Sequence, residues 1–167
     1  GRQVERGEHD RRRFVGELID GLADRGVEVT LFATGDSTGG YRTPCPVRSC
    51  FETGVWPPSL RAEIAHASFA LRELARDRAR FDVVHAHCPT FLPRSAQLGL
   101  PVIYTLHHAF DAELCELYHH APDVTYVAIS ARQLELCGPF ARSAVVHHGV
   151  DPARYRLGEV RRDTVAF

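Results

Sequence analysis

The chain predicts an open, doubly wound α/β sheet, mostly parallel, with helices on both faces. Short β-branched runs alternate with segments of helical periodicity along most of its 167 residues. Several of those runs, among them Val83-Val84 and Pro101-Val-Ile-Tyr-Thr105, are apolar without alternation, as strands sandwiched between helices must be. The strands are separated by helical stretches that can serve as crossovers, which completes the argument for this class.

The elements follow in order. Phe14, Val15, Leu18, Ile19, Leu22 and Ala23 fall at helical spacing, and Gly26 supplies a stop that tolerates positive φ. Val27 to Ala33 reads as a β-branched strand closed by Gly35-Asp36-Ser37. Thr38 to Pro58 is rich in glycine and proline, with one short strand expected around Val47. Ser59 is placed to cap a long helix with Leu60, Ile64, Ala67, Leu71 and Leu74 on its apolar face. Arg72, Glu73, Arg76, Asp77 and Arg78 form its wet side. Val83-Val84 is then a strand core, Phe91–Leu98 a short helix stopped by Gly99, and Pro101–Thr105 the next strand. Helices near Ala112–His119 and Ala131–Leu136 flank a strand at Val124–Ile129, and Ala144–His147 is the last strand of the sheet.

The first element is a helix with no strand before it, so the sheet is expected to lack its first strand. Residues 1–150 make one domain. Asp151 to Arg162 reads as a polar linker, and Asp163-Thr-Val-Ala-Phe167 as the opening strand of a second, missing lobe, so that 151–167 lie outside the first domain.

Composition narrows the classes. An apolar fraction of 44% with 25% charged residues is that of a globular protein. Twenty basic against 21 acidic side chains give no electrostatic reason to expect nucleic acid. Arg11-Arg12-Arg13 beside Glu8 and Asp10 reads as a solvated helix start. No apolar stretch reaches the ~20 residues of a transmembrane segment, and no signal peptide opens the sequence. The five cysteines form no CxxC pair; they read as buried small hydrophobes in a reducing cytoplasm.

Two strand-to-loop junctions carry the functional signal. Phe81-Asp-Val-Val-His85-Ala-His87 and Leu100-Pro-Val-Ile-Tyr-Thr105-Leu-His107-His108 both end in histidine. The carboxyl ends of parallel strands are where an open α/β sheet binds ligands. Imidazole there can move a proton near neutral pH or hydrogen-bond a bound group. A metal-dependent hydrolase is an alternative reading, because His-x-His after a strand also suits zinc or iron. Against it stand the absence of an HExxH helix and of an obvious carboxylate ligand set. His119-His120 and His147-His148 read as turn residues, and Asp111 either orients an imidazole or starts a helix.

Five segments together resemble the amino-terminal lobe of the family 4 (group 1) glycosyltransferases of the GT-B fold. They are Leu22 to Ser37, Phe81 to His87, Gly99 to His108, Tyr126-Val-Ala-Ile-Ser130 and Val146-His-His-Gly-Val-Asp151. The resemblance implies a Rossmann-like lobe and a retaining transfer of a sugar from a nucleotide-sugar donor. This lobe would hold the acceptor, whether small molecule, lipid or glycan, and the second lobe of the same chain would hold the nucleotide. The family's Thr-x-His loop matches Thr105-Leu-His107, which makes His107 the candidate catalytic residue, placed against the transferred sugar or the acceptor. His85 and His87, with Ser130 at the next strand end, are implied as acceptor-binding. No cofactor and no metal are implied, and the compartment would be cytoplasmic, with or without a peripheral membrane contact.

One departure stands out. The family carries a Gly-Gly pair before its first helix, where bare N–H groups can cradle a donor phosphate. Here His9-Asp10-Arg11-Arg12-Arg13 occupies that place unless Gly7 or Gly1 substitutes in a longer loop. Phosphate binding by this lobe is not expected to follow the family, and because the donor site would be incomplete the isolated chain is expected to be inactive: an acceptor lobe, or a non-catalytic binding module, that self-associates through the face its second lobe would cover.

Overall fold

The computed structural model describes residues 14–55 and 59–149. The expected linker and second-lobe strand at 151–167, the segment at His9 to Arg13, and Pro57-Pro58 lie outside the described residues.

Residues 14–23 form helix α1. Gly26, at φ 78°, turns the chain out of it, and the amides of Gly26 and Val27 bond back to the carbonyls of Ala23 and Leu22. Strand β1 is only Leu31–Phe32, shorter than the expected run from Val27, and pairs in parallel with β2, Val47–Arg48. Helix α2, Leu60–Arg76, starts where expected: the Ser59 hydroxyl accepts from the Ala62 amide at 3.2 Å. A 3-10 turn at Arg78–Arg80 leads to β3, Val84–Ala86. The stretch expected as a short helix is a 3-10 helix, Pro89–Leu98, interrupted by Pro93 and ended by Gly99 at φ 62°. Then come β4, Val102–Leu106; α3, Ala112–His119; β5, Thr125–Ala128; α4, Ala131–Cys137; and β6, Ser143–Val145.

Strands β3-β4-β5-β6 make a parallel sheet in that order, and β1-β2 a separate pair. The alternation of helix and parallel strand is the expected architecture, drawn as two sheets where one was expected. The core lies on the larger sheet, with Tyr104, Leu106, Tyr126 and Ala128 essentially sealed from water beneath α2, Leu92, Leu98 and Tyr118. The buried Tyr126 hydroxyl donates to the Tyr118 carbonyl at 2.7 Å, so its polar end is satisfied inside the core.

Helix α2 corrects two sequence readings. Leu60 and Ile64 are exposed, while Ala67 and Leu74 are buried as expected, with Ala70 beside them and Leu71 packed against the core. Glu73, read as wet, is buried, because Arg76 at 2.6 Å and Arg48 of β2 at 3.8 Å neutralise its carboxylate. Cys115 and Cys137 are joined in a disulfide that ties α3 to α4. That runs against the expectation of plain buried thiols in a reducing compartment. Cys45, Cys50 and Cys88 are half-buried and take no part in that disulfide.

Candidate functional site at the strand ends

The parallel register determines which histidines meet. Val84 lies opposite Val102 and Ala86 opposite Tyr104. Side chains two apart share a face of the sheet, so His85 and His87 project on the side of Thr105 and His107. The contacts follow. His85 Nε2 lies 2.8 Å from the Thr105 hydroxyl, and His87 Nδ1 lies 2.9 Å from His107 Nε2. The rings of His85 and His87 stack at 4.4 Å.

Helix α1 and the segment after β6 close the cluster. The Phe14 ring packs edge-on to His107 at 5.2 Å and stacks with His148 at 4.2 Å, and His148 stands 5.5 Å from His107. His148 is thus part of the site and not a simple turn residue. In the sequence Phe14 is only one of the apolar positions of the first helix. Sequence spacing could not reveal either, because α1 and the segment after β6 meet only through the fold.

Ser130 sits at the end of β5, where its hydroxyl caps α4 by accepting from the Gln133 amide at 3.1 Å. Gln133 then bridges two strand ends: its side-chain carbonyl accepts from the Ile129 amide, and its amide donates to the His108 carbonyl at 2.8 Å. This holds the loop after β4 against the loop after β5. Asp111 caps α3 through the Leu114 amide at 2.9 Å, which accounts for its place after the histidines.

Burial dominates the electrostatics. It pushes the His85 pKa down, and His87 falls from 6.5 to about 3 through burial, with repulsion from His85, His107 and His148 adding to it. His148 is lowered by the same desolvation. At neutral pH His85 and His87 are therefore uncharged, each offering one donor and one acceptor, which matches the two-way hydrogen bonding of a sugar hydroxyl. Among the described residues, no group of three or more His, Cys, Asp or Glu is arranged to hold a metal ion. No helix among them is long and apolar enough to cross a membrane.

The comparisons bear on the whole arrangement. A search of curated proteins finds no match. The family model described as Glycosyltransferase Family 4 matches residues 12–154, which takes in every strand and helix among the described residues and all four clustered histidines. With most of its length covered by that model, the chain belongs to glycosyltransferase family 4.

Proposed function

We propose that this lobe binds the acceptor in a retaining glycosyltransferase that moves a sugar from a nucleotide-sugar donor. The observation that carries the reading is the His87–His107 pair at the carboxyl ends of β3 and β4, walled by Phe14 and His148. A half-buried cluster in which desolvation disfavours the charged forms of His85, His87 and His148 suits sugar hydroxyls better than a diphosphate. Recognition of an acceptor hydroxyl or of the transferred sugar is the chemistry it favours. The nucleotide diphosphate is then gripped by a donor lobe, and transfer needs both lobes. No metal enters this scheme.

His107 is the catalytic residue of the proposal. His87 holds its ring by the Nδ1–Nε2 bond, and Thr105 holds His85 in turn. His107 positions the reacting sugar through a hydrogen bond and does not serve as a general base. In a protein carrying this lobe together with its donor lobe, His107→Ala lowers kcat/KM at least ~100-fold, the scale of one lost transition-state hydrogen bond. The KM for the donor changes little. Full activity in that variant would remove the assignment. In the 167-residue chain itself, titration with candidate acceptors should shift the imidazole NMR signals of His85, His87 and His107.

A further inference from the structure

Gln133 follows the cap residue of α4, Ser130, by three positions, the spacing of a capping box. The Ser130 hydroxyl accepts from the Gln133 amide at 3.1 Å, and the Gln133 side chain reaches back past the helix start. Its carbonyl oxygen accepts from the Ile129 amide at 2.9 Å. An acceptor is all that this role requires. A glutamate would fill it equally, with a favourable charge at the helix start. The donor half of Gln133 is therefore surplus to the helix. It bonds instead to the His108 carbonyl at 2.8 Å, at the end of another strand and 25 positions earlier in the chain.

Both ends of this bridge lead to the histidine cluster. His107 lies between Leu106, the last residue of β4 and paired with Ala128, and His108, which Gln133 holds. Its backbone is thus gripped on both sides, and its ring is met by His87. On the other side, the Val146 amide donates to the Ala128 carbonyl, and His147 Nδ1 donates to the Ile129 carbonyl at 3.1 Å. His148 comes next, stacked on Phe14 and 5.5 Å from the His107 ring. One amide side chain ties the stems of both rings, His107 through His108 and His148 through Ile129 and His147.

We propose that Gln133 is a positioning residue, whose side-chain amide sets the gap between His107 and His148 in which the reacting sugar or acceptor hydroxyl is held. The inference rests on His107 being the residue that hydrogen-bonds the reacting sugar. Gln133 itself touches no substrate and acts through the β4 loop. A glutamate in its place keeps the Ile129 bond but turns an acceptor towards the His108 carbonyl. Two acceptors then face each other, and the loop is pushed away. A reacting group misplaced by about 1 Å costs up to about 100-fold in rate.

The test is Gln133→Glu, read in two proteins. In the 167-residue chain, the imidazole NMR signals of His107 and His148 should shift while those of His66, on α2, stay in place. The melting temperature should hold, because the capping half of the side chain is intact; a purely structural role for Gln133 predicts unmoved rings. Gln133→Met, which loses both halves, should give the ring shifts together with a lower melting temperature. In a protein carrying this lobe with its donor lobe, Gln133→Glu should lower kcat about 10–100-fold and leave the KM for the donor unchanged. Unmoved ring signals would overturn the inference. So would full activity in Gln133→Glu beside a loss in His107→Ala, which leaves the reading of His107 standing. Full activity in His107→Ala removes that reading and this inference together.

Discussion

At the scale of single residues, His87 couples the site to stability. Its imidazole is held uncharged in the fold and titrates near 6.5 when the chain unfolds, so the unfolded state takes up the proton first as pH drops. Its contribution is complete above pH 6.5 and is lost progressively as pH falls from 6.5 towards about 3. His66 and His85, also lowered by burial, add in the same direction. Urea titrations across this range should show stability falling by up to about 1.4 kcal/mol per pH unit for each such histidine. His87→Asn should flatten the slope, and an unchanged slope would show that the ring is hydrated. The histidines of the two junctions were legible in sequence because strand periodicity puts i and i+2 on one face. The neutral state of His87 was not, since it depends on burial and on neighbours from three other elements.

At the scale of elements, close approach of backbones decides what the sequence leaves open. Gly16 of α1 lies against the loop at Gly40, and a β-carbon there would collide with the Gly40 carbonyl. The same face is pinned by Asp20, whose carboxylate accepts from the amides of Arg42 and Thr43 at 2.8 and 2.9 Å. Gly16→Ala should therefore destabilise the protein by about 1–3 kcal/mol although alanine is the better helix former, and thermal melts of the two proteins would read this directly. An unchanged melting temperature would mean that the loop yields freely. Helix α2 teaches a related lesson. Its periodicity marked a helix and its cap, yet the stripe that faces the core was set by what lies below. Ala67, Ala70 and Leu74 cover the sheet and Leu92, while Leu60 and Ile64 run past it. Glu73 is buried beside Arg76 of its own helix and Arg48, which arrives from a strand 25 positions earlier in the chain.

At the scale of the whole molecule, stability is unevenly shared. Strands β4 and β5 are paired on both sides and covered by helices, whereas β1 and β2 pair over two residues only. Native-state hydrogen exchange should find amides of β4 and β5 protected at least ~100-fold more than those of Leu31 and Ala33. Uniform protection would instead mark the two sheets as one cooperative unit. The sequence by itself determined the class of fold, the order of its elements, the cap at Ser59, and the strand-end histidines. All of these follow from local periodicity and short-range hydrogen bonding, which a linear chain displays. Only the tertiary structure decided that His87 bonds His107, that Phe14 and His148 wall them in, and that Cys115 meets Cys137. Each of these is a meeting of residues distant in the chain, fixed by register, helix packing and the exclusion of water.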